Sequence, residues 1–213
     1  MNNKGRSIVE MLGVLAIIGV LSVGALAGYS KAMLQHKFNR QTEQINTIVS
    51  ALLKNYDGLV QIPVTSDQTS FVSYLKSMGE IPQDMYNTVN QNFIKDSFQT
   101  RYQIYHHKTN YVAIVGWINN SDVSNLVCQN IYKTLVPWSL DIKSVQILRN
   151  YEGNTSSYTS AFYGDQHQQC SKQKNRCLRD LKISDLQDLC CVCQDTTNCR
   201  VFIFFKDAKV FQN

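Results

Sequence analysis

Six of the seven cysteines crowd into one stretch, Cys170, Cys177, Cys190, Cys191, Cys193 and Cys199, while Cys128 stands apart. Thiolates beside His167 are the kind of donors that bind zinc. The spacing argues against that use, because it forms no paired CxxC arrangement and adjacent Cys190 and Cys191 suit one ion poorly. Disulfides are the better reading, and an odd count leaves one thiol free or available to another subunit. Sequence alone leaves the pairing open. Cysteines used this way place the domain in an oxidising compartment, outside the cytoplasm.

Other reactive side chains point to no reaction. His106 and His107 sit in a strand pattern, one ring facing the core and one facing solvent, which fits a plain structural pair better than a catalytic dyad. No nucleophile motif, phosphate-binding glycine loop or metalloprotease helix is present. We therefore expect no enzyme, no metal and no cofactor. Lys172, Lys174, Arg176, Arg179 and Lys182, opposed by Asp180, form a basic cluster between cysteines. Its plain reading is a solvated loop, and its functional reading is a contact patch for DNA, an anionic polysaccharide or a neighbouring subunit. The net charge of +5 is spread too thinly to decide between them.

Glu10 is the most informative carboxylate. It borders residues 11–29, MLGVLAIIGVLSVGALAGY, which carry no charge and are long enough to cross a hydrocarbon core of about 30 Å as a helix. The apolar run continues into helix-compatible sequence, so cleavage after it is not expected. Lysine and arginine flank both ends of the span, and the cysteines settle orientation instead, with the short N-terminus inside. Gly24 and Gly28 form a GxxxG pair that lets a second helix approach.

The elements that carry these residues follow from periodicity. Phe38, Ile45, Ile48, Val49, Leu52, Leu53 and Tyr56 recur mostly at three and four, so one helix over residues 7–57 is expected, closed by Gly58. It would measure roughly 75 Å, its distal half amphipathic and laid on the head. A helix over 67–78 capped by Ser66 and ended by Gly79 comes next, then a hairpin of strands 102–107 and 111–118. A helix over 122–135 capped by Ser121 carries Cys128, and strands follow at 142–149, 156–163 and 200–206. The fold class is α+β, a long N-terminal helix packed on a head with an antiparallel sheet.

Met1-Asn-Asn-Lys-Gly5, then Arg6-Ser-Ile-Val-Glu10 and the apolar run, resembles the prepilin signal of the type IV pilin family. The resemblance implies a leader of residues 1–5 removed by prepilin peptidase between Gly5 and Arg6, N-methylation of Arg6, and a role for Glu10 in assembly. It implies a stalk over 6–57, with its membrane span at about 8–29, and a head over 58–213. Arg6 stands where the family has an apolar residue, and Ala27 where many members have a kinking proline. The segment LKSMGEIPQDM (75–85) and the cysteine-bearing helix resemble the type IVb branch. By that likeness Cys128 bridges a C-terminal cysteine, with Cys199 the first choice and Cys177, Cys190, Cys191 and Cys193 as alternatives.

The resemblance thus implies a type IVb-like pilin or minor pilin, held as a single-pass protein in the bacterial inner membrane before entering an extracellular filament. Its partners would be other pilin subunits, the peptidase, the inner-membrane assembly platform and membrane lipid. Two alternatives stay open: a pseudopilin of a type II secretion system, and a solitary membrane-anchored extracytoplasmic binding domain.

Overall fold

The computed structural model describes residues 4–150, 156–158, 161–171, 176–193 and 199–205. Its contacts divide the chain into two units, Met1–Asn39 and Arg40–Asn213. Helix α1 (Lys4–Lys54) runs through both. It stops at Asn55, whose side-chain amide donates to the Ala51 carbonyl at 2.9 Å, a local bond that competes with the helical ladder. A single turn, α2 (Tyr56–Leu59), follows. Gly58 lies within that turn, so it does not close α1 as expected.

The head is built on an antiparallel sheet. Strand β1 (Gln68–Ser70) occupies the place expected of the first turn of a helix over 67–78, which shortens to α3 (Val72–Ser77). The cause is tertiary: Thr69 pairs with His106 of a later strand, and ladder pairing outweighs local propensity. Ser66 is therefore no cap, its hydroxyl donating to the Gln68 carbonyl at 3.0 Å. Gly79 does end the segment, at φ +73°, a conformation glycine adopts without penalty.

The remaining strands are β2 (Ile94–Lys95), β3 (Arg101–His107), β4 (Tyr111–Ile118), β5 (Ile142–Asn150), β6 (Ser156–Tyr158), β7 (Phe162–Tyr163) and β8 (Cys199–Phe205). Their order is β1-β3-β4-β8-β5-β6, with β2 on β3 and β7 on β5. The expected hairpin is there, with Asn110 at φ 65° in its turn. The strand expected over 156–163 is resolved as β6 and β7, with residues 159–160 outside the described set. The last strand, β8, lies between β4 and β5. Gly164, after β7, permits a close crossing, since a Cβ there would sit 1.6 Å from the Ile142 carbonyl oxygen.

Helix α4 (Ser124–Leu135) begins two residues later than expected, because Ser121 forms a turn with Ser124 and caps nothing. Helices α5 (Gln168–Ser171) and α6 (Ile183–Cys190) complete the head. Neither was anticipated, although in α6 Leu186 and Leu189 lie three apart and are both buried. Asp185 also accepts the Lys182 amide at its start, the carboxylate half of a capping box.

Helices cover one face of the sheet. Tyr132 of α4 meets Phe162 of β7 edge-on with centroids 6.1 Å apart. From α1, Ile45, Ile48, Val49 and Leu52 are buried. Between these layers sits a polar hub around Asp96, which is 3% exposed. Its carboxylate accepts from Gln41 Nε2 of α1 at 2.6 Å, from Tyr102 Oη of β3 at 2.9 Å, and from the amides of Phe98 and Thr100. Asn130 Nδ2 of α4 donates to Gln41 Oε1 at 2.9 Å. One carboxylate therefore joins the helix, the sheet and, through Gln41, the cysteine-bearing helix.

Burial pushes the Asp96 carboxyl above its ordinary range, against the pull of its four donors. Its linkage term is thus full below the ordinary carboxylate pKa and fades as pH rises through the raised value. Asp84 works in the opposite direction. The hydrogen bond from Arg40 holds it below its ordinary range, so its contribution is present above that range and is lost on acidification. Truncation of Asp96 strands three buried donors and the part-buried Phe98 amide, a buried one costing about 1–3 kcal/mol when left unpaired. We expect Asp96→Ala to destabilise the head by roughly 3–5 kcal/mol in denaturant titrations followed by near-UV circular dichroism.

Candidate assembly surface

The N-terminal unit has no core of its own. Large apolar side chains from Ile8 to Tyr29 are 53–75% exposed, a state that water penalises by about 25 cal/mol per Å² of apolar area. The helix is long and apolar enough to cross a membrane. Two of its hydroxyls are satisfied internally, Ser22 donating to the Ile18 carbonyl at 2.7 Å and Ser30 to that of Leu26 at 3.0 Å, as a hydrocarbon medium would require.

Glu10 lies in this helix and is exposed. At about 100° per residue, Gly28 falls on the same helical meridian as Glu10, with Gly24 and Gly13 within about 60° of it and Gly19 on the opposite side. A Cβ added at Gly24 or Gly28 meets nothing within 4 Å. That face thus combines one carboxylate with a smooth backbone stripe. The Gly5–Arg6 bond lies in the first turn of α1, and Arg6 precedes Glu10 by one helical step of four.

In the head, the structure corrects the cysteine pairing. Cys128 is bonded to Cys190, not to Cys199. Cys199, at the start of β8, is bonded to Cys193, and Cys170 to Cys177. The reason is α6: this helix packs on α4 and delivers Cys190 at its last residue to the buried Cys128. Cys199 is held by the helical turn that follows α6 (Cys191–Cys193). Cys191 is the free, exposed thiol, its Sγ donating to the Asp188 carbonyl. The bridge still closes the C-terminal region onto the helix.

The basic cluster is only partly visible. Lys172 and Lys174 lie outside the described residues, while Arg176, Arg179 and Lys182 are exposed. Arg179 stands 3.7 Å from Asp165 and 3.8 Å from Asp180, loose surface pairs that add little stability but blunt its charge. His106 is buried beside Phe71 and bonded to Asn110, and His107 stacks on Tyr111. They face opposite sides of the sheet, as alternation requires.

Comparison with curated proteins finds similarity to the toxin coregulated pilin of Vibrio cholerae, 32% identical over 84 residues. Over that stretch the chain is similar to a pilin. The similarity covers 38% of this chain and 38% of the relative, so it spans well under half of that protein's length. No family model and no solved structure matches. The long apolar helix and the mixed head with its antiparallel sheet fit the pilin relationship.

The pairing has a direct check. Non-reducing peptide mapping should recover the Cys128 peptide joined to that of Cys190, and a Cys128–Cys199 species would overturn it. Replacing both Cys128 and Cys190 by serine removes a bridge with a sequence separation of 62, for which loop-closure entropy gives roughly 4 kcal/mol lost.

Proposed function

We propose that this chain is a structural subunit of a type IV pilus-like filament, a type IVb-like pilin or minor pilin, anchored in the bacterial inner membrane until assembly extracts it. The observation that carries this reading is the exposed apolar helix with Glu10 and a glycine stripe on one face, joined to the similarity with a pilin. A prepilin peptidase removes residues 1–5 on the cytoplasmic side. The new amino group at Arg6 is methylated, and the head from about residue 58 lies outside the cytoplasm, where its disulfides form.

Assembly then has a physical driving force. A carboxylate in an apolar medium is costly until it meets a cation. Glu10 of one subunit neutralises the amino terminus of its neighbour, a charge-assisted contact that strengthens as water is excluded. Close helix approach along Gly24 and Gly28 supplies the packing that lipid alone does not provide. The assembly platform and membrane lipid are the subunit's partners before extraction, and other pilin subunits afterwards. It performs no catalysis in this role.

Two measurements test it. N-terminal sequencing of membrane-extracted protein from a strain with active prepilin peptidase should begin RSIVE; an intact leader contradicts processing. Glu10→Ala should insert and be cleaved normally yet lower filament yield at least tenfold when it is the sole subunit. Unchanged yield, read by shearing and electron microscopy, removes Glu10 from assembly.

A further inference from the structure

The face of the sheet turned away from α1 and α4 is neither plain nor neutral. Trp117 of β4 pairs with Arg101 of β3 on one side and Arg200 of β8 on the other, and Lys95 lies opposite Arg101. The Arg200 guanidinium lies 5.9 Å from the Trp117 ring centroid, and that of Arg101 lies 6.0 Å from Phe93, whose ring meets Trp117 edge-on at 5.2 Å. Further along β8, Phe202 and Phe204 stand nearly parallel at 12° and 6.0 Å, and Phe204 continues to Tyr111 at 5.4 Å. These rings rest on a floor of Tyr105, Ala113 and Val115 and remain part exposed.

Among the described residues the charge on this face has no carboxylate to offset it. β3, β4, β5 and β8 contain no Asp or Glu. Among the described residues no carboxylate pairs with Lys95, Arg101 or Arg200. The Arg200 Nε is buried with no hydrogen-bond partner. Aromatic rings alone would suit many apolar partners. Rings interleaved with unpaired guanidinium groups suit a chain that alternates planar π surfaces with anions.

We infer that this sheet face binds single-stranded nucleic acid, independently of the filament role proposed above. Part-exposed rings stack unpaired bases irrespective of sequence, and Arg101, Arg200 and Lys95 neutralise the intervening phosphates. Phe202 and Phe204 present like-oriented rings at alternate positions of one strand, the arrangement by which open antiparallel sheets stack two or three successive bases. Duplex DNA is disfavoured, because its bases are already stacked and unavailable to such a surface. An acidic polysaccharide would satisfy the cations without needing the π faces.

Fluorescence anisotropy of a labelled fifteen-residue oligothymidine, titrated with the full-length chain in detergent micelles, tests the assignment. Saturable binding is expected, weakened about tenfold or more by Phe202→Leu, a change that keeps apolar bulk but removes the ring. Arg200→Gln should lower the salt dependence by somewhat under one unit of slope. Circular dichroism and the disulfide map of both variants must match the parent, which separates loss of binding from loss of fold. Arg179→Gln, away from this face, should leave affinity unchanged. The inference is overturned if the oligonucleotide does not bind, or if Phe202→Leu binds as the parent does. It also fails if Arg179→Gln abolishes binding, or if duplex DNA or a sulfated polysaccharide competes equally well in parent and Phe202→Leu protein, which would mean bulk electrostatics alone.

Discussion

Helix α1 must satisfy two solvents with one run of backbone. Around Ile8–Tyr29 it is apolar on every side and buries nothing within the chain. Around Gln41–Leu52 the same helix is amphipathic, and its apolar stripe supplies much of the head's core. In this structure the first segment is left exposed, a state that water penalises. A hydrocarbon medium or the apolar surface of another protein chain would cover it. Under the function proposed above, Glu10 matters because the medium around it is apolar, and Gly24 and Gly28 matter because close packing there replaces the hydrophobic effect.

The second segment is fixed by a polar contact as well as by apolar burial. Asp96 takes donors from α1, from its own loop and from β3, so the helix cannot rotate or slide on the sheet without stranding them. Ile45, Ile48 and Leu52 would tolerate a range of neighbouring registers, since hydrophobic burial is not directional. Gln41 would not. Arg40 to Asp84 at 2.6 Å and Trp138 Nε1 to Asn46 at 2.9 Å add further fixed points on either side. The head thus holds the distal helix in one orientation.

The cysteines tie short elements of the head to longer ones. α6 is eight residues long, too short to be stable alone, and the Cys128–Cys190 bond anchors it to the longer α4. The Cys193–Cys199 bond then places the entry of β8, which fills the centre of the sheet between β4 and β5. β8 pairs with β4, which is distant in sequence, so forming the centre of the sheet closes a long loop, and covalent constraint near the start of β8 offsets part of that cost.

Much of this was legible from the residues. Glu10, the uncharged run after it and the Gly24–Gly28 spacing are local facts, and a helix with no polar face has few uses. The hairpin around Asn110, the alternation that sends His106 inward and His107 outward, and the helix carrying Cys128 also follow from short-range pattern, because side-chain period and turn chemistry act over a few residues. What pattern could not supply were choices made at long range. Residues 68–70 became a strand only because Thr69 meets His106, overriding a local helix signal. Cys128 chose Cys190 because α6 packs beside α4, a contact that spacing along the chain does not encode. Asp96 looks unremarkable in sequence and becomes the hub only when Gln41, 55 residues away, is folded against it. The aromatic and cationic face exists because β8 is inserted beside β4, bringing Arg200 to Trp117. Local chemistry settles which way a side chain can point, while the free energy of distant packing settles what it meets.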